Sequence, residues 1–419
     1  MKRIVSLLLV FLLAFSLIAC QRTPPPEPPA GNSGDKSGSD KTEDKKEEEK
    51  FRIAIITGTA AQSEDELRGA EAFIAEYGKA EEGGIVLHAT YPDNFSTEYE
   101  TTVQTIASFK DDPLVKAIVV DQAVPGTAAA FMQVRAARPD ILLFAAELQD
   151  DPQAFGDSVD LMIGADNIAR GYLMILAAQK LGATKFVHIS FPRHMGIDLL
   201  ARRAAIMEEA CKDLGLEFFM ETAPDPTSDV GIPGAQQFIL EQMPGWVAKY
   251  GKDTAFFCTN DAQTEPLLRM VAQLGAIFIE PDLPSPIMGY PGAFGIDLKD
   301  EAGDWPAILK KVEEAVIEAG GKDRMGTWSY SYNYTGVVAL AEHARRCIED
   351  GVKADDFDDL LDCLQKYTPG SKWNASIFCD TEGNSIDNYF LLYQDTYVFG
   401  KGYLGQTDVK VPDKYFSIS

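Results

Sequence analysis

An alternation of short apolar segments with helically spaced ones, beginning at residue 51, leaves few folds open to this chain. Residues 51–57 are a β-branched strand that ends at Gly58, and residues 64–77 follow with helical periodicity. The same unit recurs at 85–109, 117–138 and 161–181, with a further strand at 141–145. Near-continuous apolar strands that alternate with helices predict a parallel sheet covered on both faces.

The alternation restarts after Gly182 and predicts a second α/β lobe. Its predicted strands are 185–190, 216–221, 254–258 and 285–290, and its helices are 196–214, 235–250, 263–274 and 305–319. Residues 331–419 hold two more helices, 334–349 and 356–367, and late strands at 377–379, 389–394 and 396–399, which we expect to complete both lobes. The predicted fold class is α/β: two Rossmann-like lobes with parallel sheets, at 51–182 and 183–330, joined by a hinge.

The first fifty residues predict export and attachment to a membrane by a lipid. Residues 1–19 form a charged start and an apolar run that is too short for a dependable membrane-spanning helix. The run ends in Leu-Ile-Ala-Cys at Cys20, which resembles a bacterial lipobox; an ordinary signal peptide with an incidental Cys20 is the alternative. Residues 21–50 are rich in Pro, Gly, Ser and charged residues and predict a disordered tether. We expect an extracytoplasmic protein anchored only through lipidated Cys20.

The composition excludes several classes of function. Against 38 Lys and Arg the chain has 64 Asp and Glu, for a formal net charge of −26. Such a chain repels phosphate backbones, so we predict no nucleic-acid partner. No dinucleotide fingerprint, P-loop, nucleophile elbow or HExxH motif is present, and no CxxC or Cys/His spacing typical of zinc. We therefore predict no cofactor, no metal and no catalytic residue. Five cysteines follow Cys20, and their odd number leaves their pairing open.

Residues 256–262, Phe-Phe-Cys-Thr-Asn-Asp-Ala, resemble the strand-end Asn-Asp of sugar-type binding proteins, and a predicted helix follows them. With the two lobes, the export signal and the tether, residues 51–403 resemble the type I periplasmic binding-protein superfamily. Within it the chain is most similar to an uncharacterised family of bacterial substrate-binding lipoproteins. The resemblance implies a monomer that holds a sugar, nucleoside or amino-acid-like ligand between its lobes, with the permease of an ABC transporter as its partner.

Ligands of such folds lie where the carboxyl ends of strands from both lobes face each other. Arg193 has a planar guanidinium for a carboxylate or phosphate, and Asn260 with Asp261 offers donors and acceptors to vicinal hydroxyls. Each of these sites has a structural alternative. The turn after the first strand also fits a capping loop, Arg193 a salt bridge in a solvated loop, Asn260 and Asp261 a helix cap, and the aromatic stretch 328–334 hinge packing. The predicted ligand-binding residues are Thr57, Thr59, Gln62, Asn94, Gln122, Glu147, Arg193, Asn260, Asp261, Tyr290, Trp328 and Tyr330.

These features predict a solute-binding protein that closes on its ligand and delivers it to an ABC importer. A ligand sensor that feeds a signalling receptor is the alternative within the binding class. A secreted α/β hydrolase, with Asp121, Glu147 and Asp261 as acid and base, is the alternative in another class. The absence of a nucleophile motif from the sequence counts against the hydrolase.

Overall fold

A computed structural model describes residues 51–418. The predicted signal peptide, Cys20 and the tether lie outside the described residues. The strands are β1 (Arg52–Thr57), β2 (Val86–Thr90), β3 (Val115–Asp121), β4 (Leu142–Ala146), β5 (Leu161–Ala165), β6 (Lys185–Ser190), β7 (Glu217–Thr222), β8 (Thr254–Cys258), β9 (Gly326–Trp328), β10 (Trp373–Cys379), β11 (Ser385–Gln394), β12 (Thr396–Val398) and β13 (Gly402–Tyr403). The helices are α1 (Glu64–Tyr77), α2 (Tyr99–Ala107), α3 (Thr127–Ala137), α4 (Pro152–Phe155), α5 (Asn167–Lys180), α6 (Asp198–Leu214), α7 (Gly231–Tyr250), α8 (Asp261–Leu274), α9 (Tyr290–Phe294), α10 (Trp305–Glu318), α11 (Tyr332–Glu349) and α12 (Phe357–Tyr367).

The first lobe is built on a seven-stranded sheet in the order β10-β11-β5-β4-β3-β1-β2. All its strand pairs are parallel except β10 with β11. The central strands β1 and β3 are buried along almost their whole length because helices cover the sheet, with α11 packed on β1, β3 and β4. Burial on both faces explains why these strands read as continuous apolar runs in the sequence.

The second lobe has a three-stranded parallel sheet in the order β7-β6-β8, and a small antiparallel sheet in the order β13-β12-β9. The strand predicted at 285–290 is wrong: residues 285–289 are irregular, and Tyr290 begins the short helix α9. Pro284 and Pro286 lack the backbone N–H that a strand interior needs. Helix α7 begins at Gly231, earlier than predicted.

Three segments connect the lobes: 165–167 after β5, 328–332 after β9, and 394–396 between β11 and β12. Helix α5, which we placed in the N-terminal lobe, packs along α6 of the C-terminal lobe. This packing groups α5 with the second lobe, and the predicted boundary between the lobes at 182–183 stays a prediction. None of the helices within residues 51–418 combines the length and apolar character needed to cross a membrane.

A buried ionic cluster ties the three connecting segments together. Arg170 at the start of α5 donates from Nε to Glu280 Oε1 at 2.8 Å, and neither side chain is exposed to solvent. Glu280 Oε2 also accepts from Trp328 Nε1 and from Thr396 Oγ1, each at 3.0 Å. One carboxylate thus binds a residue beside each of the three connections between the lobes.

Candidate functional site

The carboxyl ends of the parallel strands in both lobes meet at a cleft, because the two sheets face each other with these ends inward. The cavity within the cleft is about 70 Å³. It is far smaller than the roughly 300–1,000 Å³ of drug-sized ligand sites, so the described arrangement has little free space between its walls. Its polar lining comes from both lobes: Gln62, Gln122, Glu147 and Gln149 from the first, and Asn167, Arg193, His194, Thr227, Thr259, Asn260, Asp261 and Asp282 from the second, with Phe95 and Tyr389 among the apolar residues.

The wall of the first lobe is a set of hydrogen-bonded amide and carboxylate groups. Gln149 Nε2 donates to Gln122 Oε1 at 3.0 Å, and the carboxylate of Glu147 accepts from the backbone N–H of Ala165. Glu147 has a φ of 47°, in the left-handed region that non-glycine residues seldom adopt. Burial raises the pKa of the Glu147 carboxyl. Strained backbone of this kind clusters at functional sites, which supports a ligand-binding role for Glu147.

The wall of the second lobe contains one cationic side chain, Arg193, which already forms an ion pair. Arg193 binds Asp225 through two nitrogens, at 2.7 and 3.2 Å, and its Nη1 donates to Gln149 Oε1 of the first lobe at 3.3 Å. His194 contacts Thr259 Oγ1 through Nδ1 at 3.2 Å. Burial and the nearby Arg193 lower the pKa of His194 to about 4, so the imidazole is neutral at physiological pH.

Asn260 and Asp261 join strand β8 to helix α8 at the edge of the cleft. Asn260 Oδ1 accepts from the backbone N–H of Ala262 at 3.0 Å, so this residue is an N-cap, the alternative that the sequence left open. Its position in the lining leaves the amide nitrogen available to a ligand as well. Asp261 Oδ1 is buried and has no hydrogen-bond partner within residues 51–418. Burial raises the pKa of Asp261 well above its usual value.

A second group of acids lies behind the wall of the first lobe rather than in the lining. Glu66 accepts from Tyr91 OH at 2.9 Å and from the backbone N–H of Gln122 at 2.6 Å. Both carboxylate oxygens of Asp121 are buried and have no partner among the described residues. Burial raises the pKa of Glu66 to about 8 and that of Asp65 to about 6; burial and then repulsion from Glu66 raise the pKa of Asp121. Asp121, a candidate acid or base in the sequence, is thus separated from the cleft.

Half of the predicted ligand-binding residues line the cleft, and ligand contact by them stays a prediction. These six are Gln62, Gln122, Glu147, Arg193, Asn260 and Asp261. Three others from the first lobe do not line it. Thr57 is buried with its hydroxyl 2.9 Å from His88 Nε2, Thr59 donates to Asp93 Oδ1 at the surface, and Asn94 is exposed. The first turn is therefore mainly a structural loop.

The three aromatic residues that we predicted to contact a ligand do not line the cleft. Trp328 is fully buried against Glu280, and Tyr290 OH donates to the backbone oxygen of Gly326 at 2.6 Å. Tyr330 OH donates to the backbone oxygen of Pro369 at 2.7 Å, outside the cleft. Residues 328–334 are not one extended segment, because Ser331 accepts from Tyr334 N–H and caps α11, which begins at Tyr332. These rings pack against protein groups outside the cleft, as the alternative of hinge packing predicts, and their contact with a ligand stays a prediction.

The cleft also contains residues that the sequence analysis did not select. Phe95 and Gln149 lie in the loops after β2 and β4, close to the predicted residues Asn94 and Glu147. Their positions after buried strands could therefore have identified both. Asp282 and Tyr389 come from an irregular segment and from the late strand β11. No local sequence signal pointed to these two, because tertiary packing alone brings them to the cleft.

Two α/β lobes with mostly parallel sheets, joined by three connections, confirm the predicted fold class. A putative transcriptional regulator from Clostridium difficile 630 has the same fold, with a TM-score of 0.67 at 24% identity over 84% of this chain and 99% of that one. A periplasmic solute-binding protein of an ABC transporter from Actinobacillus succinogenes 130z, solved with bound D-allose, has a TM-score of 0.48 at 14% identity, covering 72% of this chain and 92% of that one.

The chain belongs to the family described as "Protein of unknown function (DUF3798)", whose model matches residues 51–326. A further family model matches residues 337–418. An uncharacterized protein of Treponema pallidum (strain Nichols) is 39% identical over 207 residues, which cover 49% of this chain and 94% of that protein. Another from the same organism is 40% identical over 180 residues, or 42% of this chain and 81% of that protein.

Proposed function

We propose that this protein captures a small polar solute between its lobes outside the cytoplasm and delivers it to an ABC importer. The observation that carries the proposal is a cleft with hydrogen-bonding side chains on both walls. Two side-chain contacts already cross between the lobes, Arg193 to Gln149 and Ser96 to Thr227, each at 3.3 Å. A ligand that binds both walls stabilises the closed arrangement relative to an open one, and a permease can then recognise the closed form.

The charges of the cleft favour a neutral or cationic ligand. The two guanidinium groups nearest to it are already neutralised, Arg193 by Asp225 and Arg203 by Asp282. Glu147 and Asp261 add acceptor oxygens to the lining, and Phe95 and Tyr389 add flat apolar surface. Sugars, nucleosides and the ammonium groups of amino-acid-like molecules all present donors to such acceptors, whereas a phosphate or dicarboxylate does not. We therefore narrow the expected ligand to a donor-rich molecule without net negative charge.

A thermal-shift and calorimetry screen of the purified protein tests this proposal. The panel contains sugars, nucleosides and amino acids, with phosphorylated sugars and dicarboxylates as the disfavoured set. A ligand at one hundred times its Kd should stabilise the fold by about 2.7 kcal/mol. Recovery of the bound ligand unchanged separates binding from hydrolysis. Conversion of the ligand, or stoichiometric binding of the anionic set alone, would contradict the proposal.

Replacing Asp261 with Ala should weaken binding of the identified ligand several-fold to about tenfold, as loss of one hydrogen-bonding group does. The melting temperature of the ligand-free variant should not fall greatly, because the buried Asp261 Oδ1 has no partner within residues 51–418. Calorimetry supplies the affinity and a melting scan checks the fold. The matched control is Asp229→Ala, an exposed position in the same lobe, which should bind as the parent does. Equal affinities for the two variants would assign Asp261 to structure alone.

We also propose that a lipid on Cys20 holds the protein at the membrane. The support is the lipobox-like sequence that ends at Cys20, which lies outside the described residues. Replacing Cys20 with Ser should move the protein from the membrane fraction to the soluble extracytoplasmic fraction and abolish labelling by a fatty-acid probe. Cys379→Ser, a change in the folded body, is the control and should leave the protein membrane-bound. A Cys20 variant that stays in the membrane fraction would rule out this anchor.

A further inference from the structure

Two packed helices of the first lobe place nitrogen, oxygen and sulfur ligands together, away from the cleft. His343 and Cys347 are four residues apart on α11, and Asp359 and Cys363 are four residues apart on α12. Residues at this spacing share one helix face. Because α11 and α12 pack against each other, the two pairs face one another. The expectation of no metal rested on the absence of CxxC and of the usual Cys/His spacings. The four residues here contain neither pattern, because they come from two different helices.

The distances among three of these side chains suit a tetrahedral metal. His343 Nδ1 lies 2.7 Å from Asp359 Oδ2, and Cys363 Sγ lies 3.6 Å from the same oxygen. Ligand atoms of the three residues are all within 4.8 Å of one another. With zinc bonds of about 2.0–2.3 Å, tetrahedral ligands are separated by roughly 3.3–3.8 Å. Small rotations of these side chains would therefore bring three ligand atoms to a tetrahedral zinc ion, with a water molecule as the fourth ligand.

The contacts of His343 fix the orientation of its ring. Its Nε2 is 3.0 Å from the backbone oxygen of Ala354, and its Nδ1 faces the carboxylate of Asp359. Metal-bound histidines commonly donate from one ring nitrogen to a backbone carbonyl and bind the metal through the other. Donation from Nε2 to Ala354 would leave Nδ1 directed at the space that Asp359 and Cys363 share.

The neighbouring charges allow such an ion. Arg346 Nη1 binds Asp359 Oδ1 at 2.8 Å, which leaves Oδ2 for the side that His343 and Cys363 share. The guanidinium repels a cation, but the Asp359 carboxylate and a Cys363 thiolate together supply two negative charges. Cys363 and His343 are fully buried, while Asp359 keeps some solvent contact through which an ion can enter. All five cysteines within residues 51–418 are free, so no disulfide competes for Cys363 in the described chain.

We propose that His343 Nδ1, Asp359 Oδ2 and Cys363 Sγ bind one zinc-type transition-metal ion that links α11 to α12. Binding releases the thiol proton of Cys363 and the Nδ1 proton of His343, where present, to solvent, so the affinity should increase with pH. Cys347 is not a ligand, since its Sγ lies 3.7 Å from His343 Nε2, the nitrogen that faces Ala354. The role is structural, because the site is separate from the cleft.

The test is metal binding by the purified full chain after treatment with a chelator. We expect one Zn²⁺ per chain by calorimetry and metal analysis, and a rise in melting temperature with added zinc. Cobalt(II) used as a probe should give the charge-transfer absorption of a thiolate ligand. Cys363→Ser should remove that absorption and weaken zinc binding by more than tenfold, whereas the matched variant Cys347→Ser should retain both.

Three results would overturn the proposal: no stoichiometric zinc binding, bound cobalt without thiolate absorption, or equal losses in the Cys347 and Cys363 variants. Should Cys363→Ser fail to fold, the cobalt spectrum of the parent protein still decides, because it reports the thiolate directly. His343→Gln then serves as the second variant, and its zinc affinity should also fall more than tenfold. Unchanged zinc affinity in His343→Gln would exclude the histidine as a ligand.

Discussion

Replacing Arg170 with Leu should lower the free energy of unfolding by about 3–5 kcal/mol, the range found when one partner of a buried ion pair is removed. Arg170 and Glu280 are both inaccessible to solvent, so the variant leaves a buried carboxylate without its counter-ion. Trp328 and Thr396 would still donate to Glu280, but neither carries a charge. Arg170 Nη2 also donates to the backbone oxygen of Pro281 at 2.9 Å, and that bond is lost too.

Urea unfolding followed by circular dichroism measures this effect. Arg68→Ala is the control, because Arg68 forms its ion pairs at the surface, where such pairs contribute little. The double variant Arg170→Leu, Glu280→Gln should recover part of the loss, since an amide at 280 is neutral and still accepts from Trp328. A loss for Arg170→Leu no greater than that for Arg68→Ala would show that the pair contributes nothing to stability.

The free energy of unfolding should decrease as the pH rises from about 6.5 to about 8. Burial raises the pKa of Glu66 to about 8, so the folded chain retains a proton in this window that the unfolded chain, with an ordinary glutamate, has lost. Stability falls with pH wherever the folded state binds more protons. Each such proton changes the free energy by at most 1.36 kcal/mol per pH unit, or about 2 kcal/mol over the window. Asp121, whose pKa is also raised, acts in the same direction.

Two buried histidines oppose this trend at lower pH. Burial lowers the pKa of His188 to about 3 and that of His194 to about 4, so these residues add stability as the pH rises through the ordinary histidine pKa of 6.5, and they partly offset the decrease in the lower half of the window. Glu66→Gln should flatten the decrease above pH 6.5, because the amide imitates the protonated acid at every pH. The exposed Glu81→Gln is the control and should retain the slope. Denaturant titrations at each pH provide the data, and a parent protein equally stable at pH 6.5 and 8 would refute the prediction.

Local patterns predicted most of the first lobe, since strands buried on both faces have continuous apolar sequences that end in polar turns. The same reasoning failed at 285–290, where prolines interrupt a run that is apolar enough for a strand. It also failed at 328–334, where alternating aromatic residues suggested an extended segment. There Ser331 starts a helix, and Trp328 belongs to the packed connection between lobes. Alternation over seven residues cannot distinguish these cases without tertiary contacts.

Strand-end reasoning was productive for the cleft where the polar residue directly follows a buried parallel strand, as at Gln122 and Asn260. It could not find Tyr389, whose hydroxyl reaches the space left by Gly164 on the neighbouring strand β5. Nor could it separate Asp121, which points behind the wall, from Gln122, which follows it and lines the cleft. Which of two adjacent residues faces a ligand depends on the helices that cover the sheet, and these helices come from distant parts of the chain.

The late connections also determine when each lobe can finish folding. Strand β11 covers the edge of β5, and β12 is the central strand of the small antiparallel sheet in the second lobe, so both lobes depend on residues beyond 385. Ser331 contacts Asp65, which lies 266 positions earlier in the sequence. Contacts this distant form slowly. A growing chain therefore keeps open sheet edges until residues 385–398 are made, and a protein threaded through a membrane from its N-terminus would acquire its stable form only after that segment has crossed.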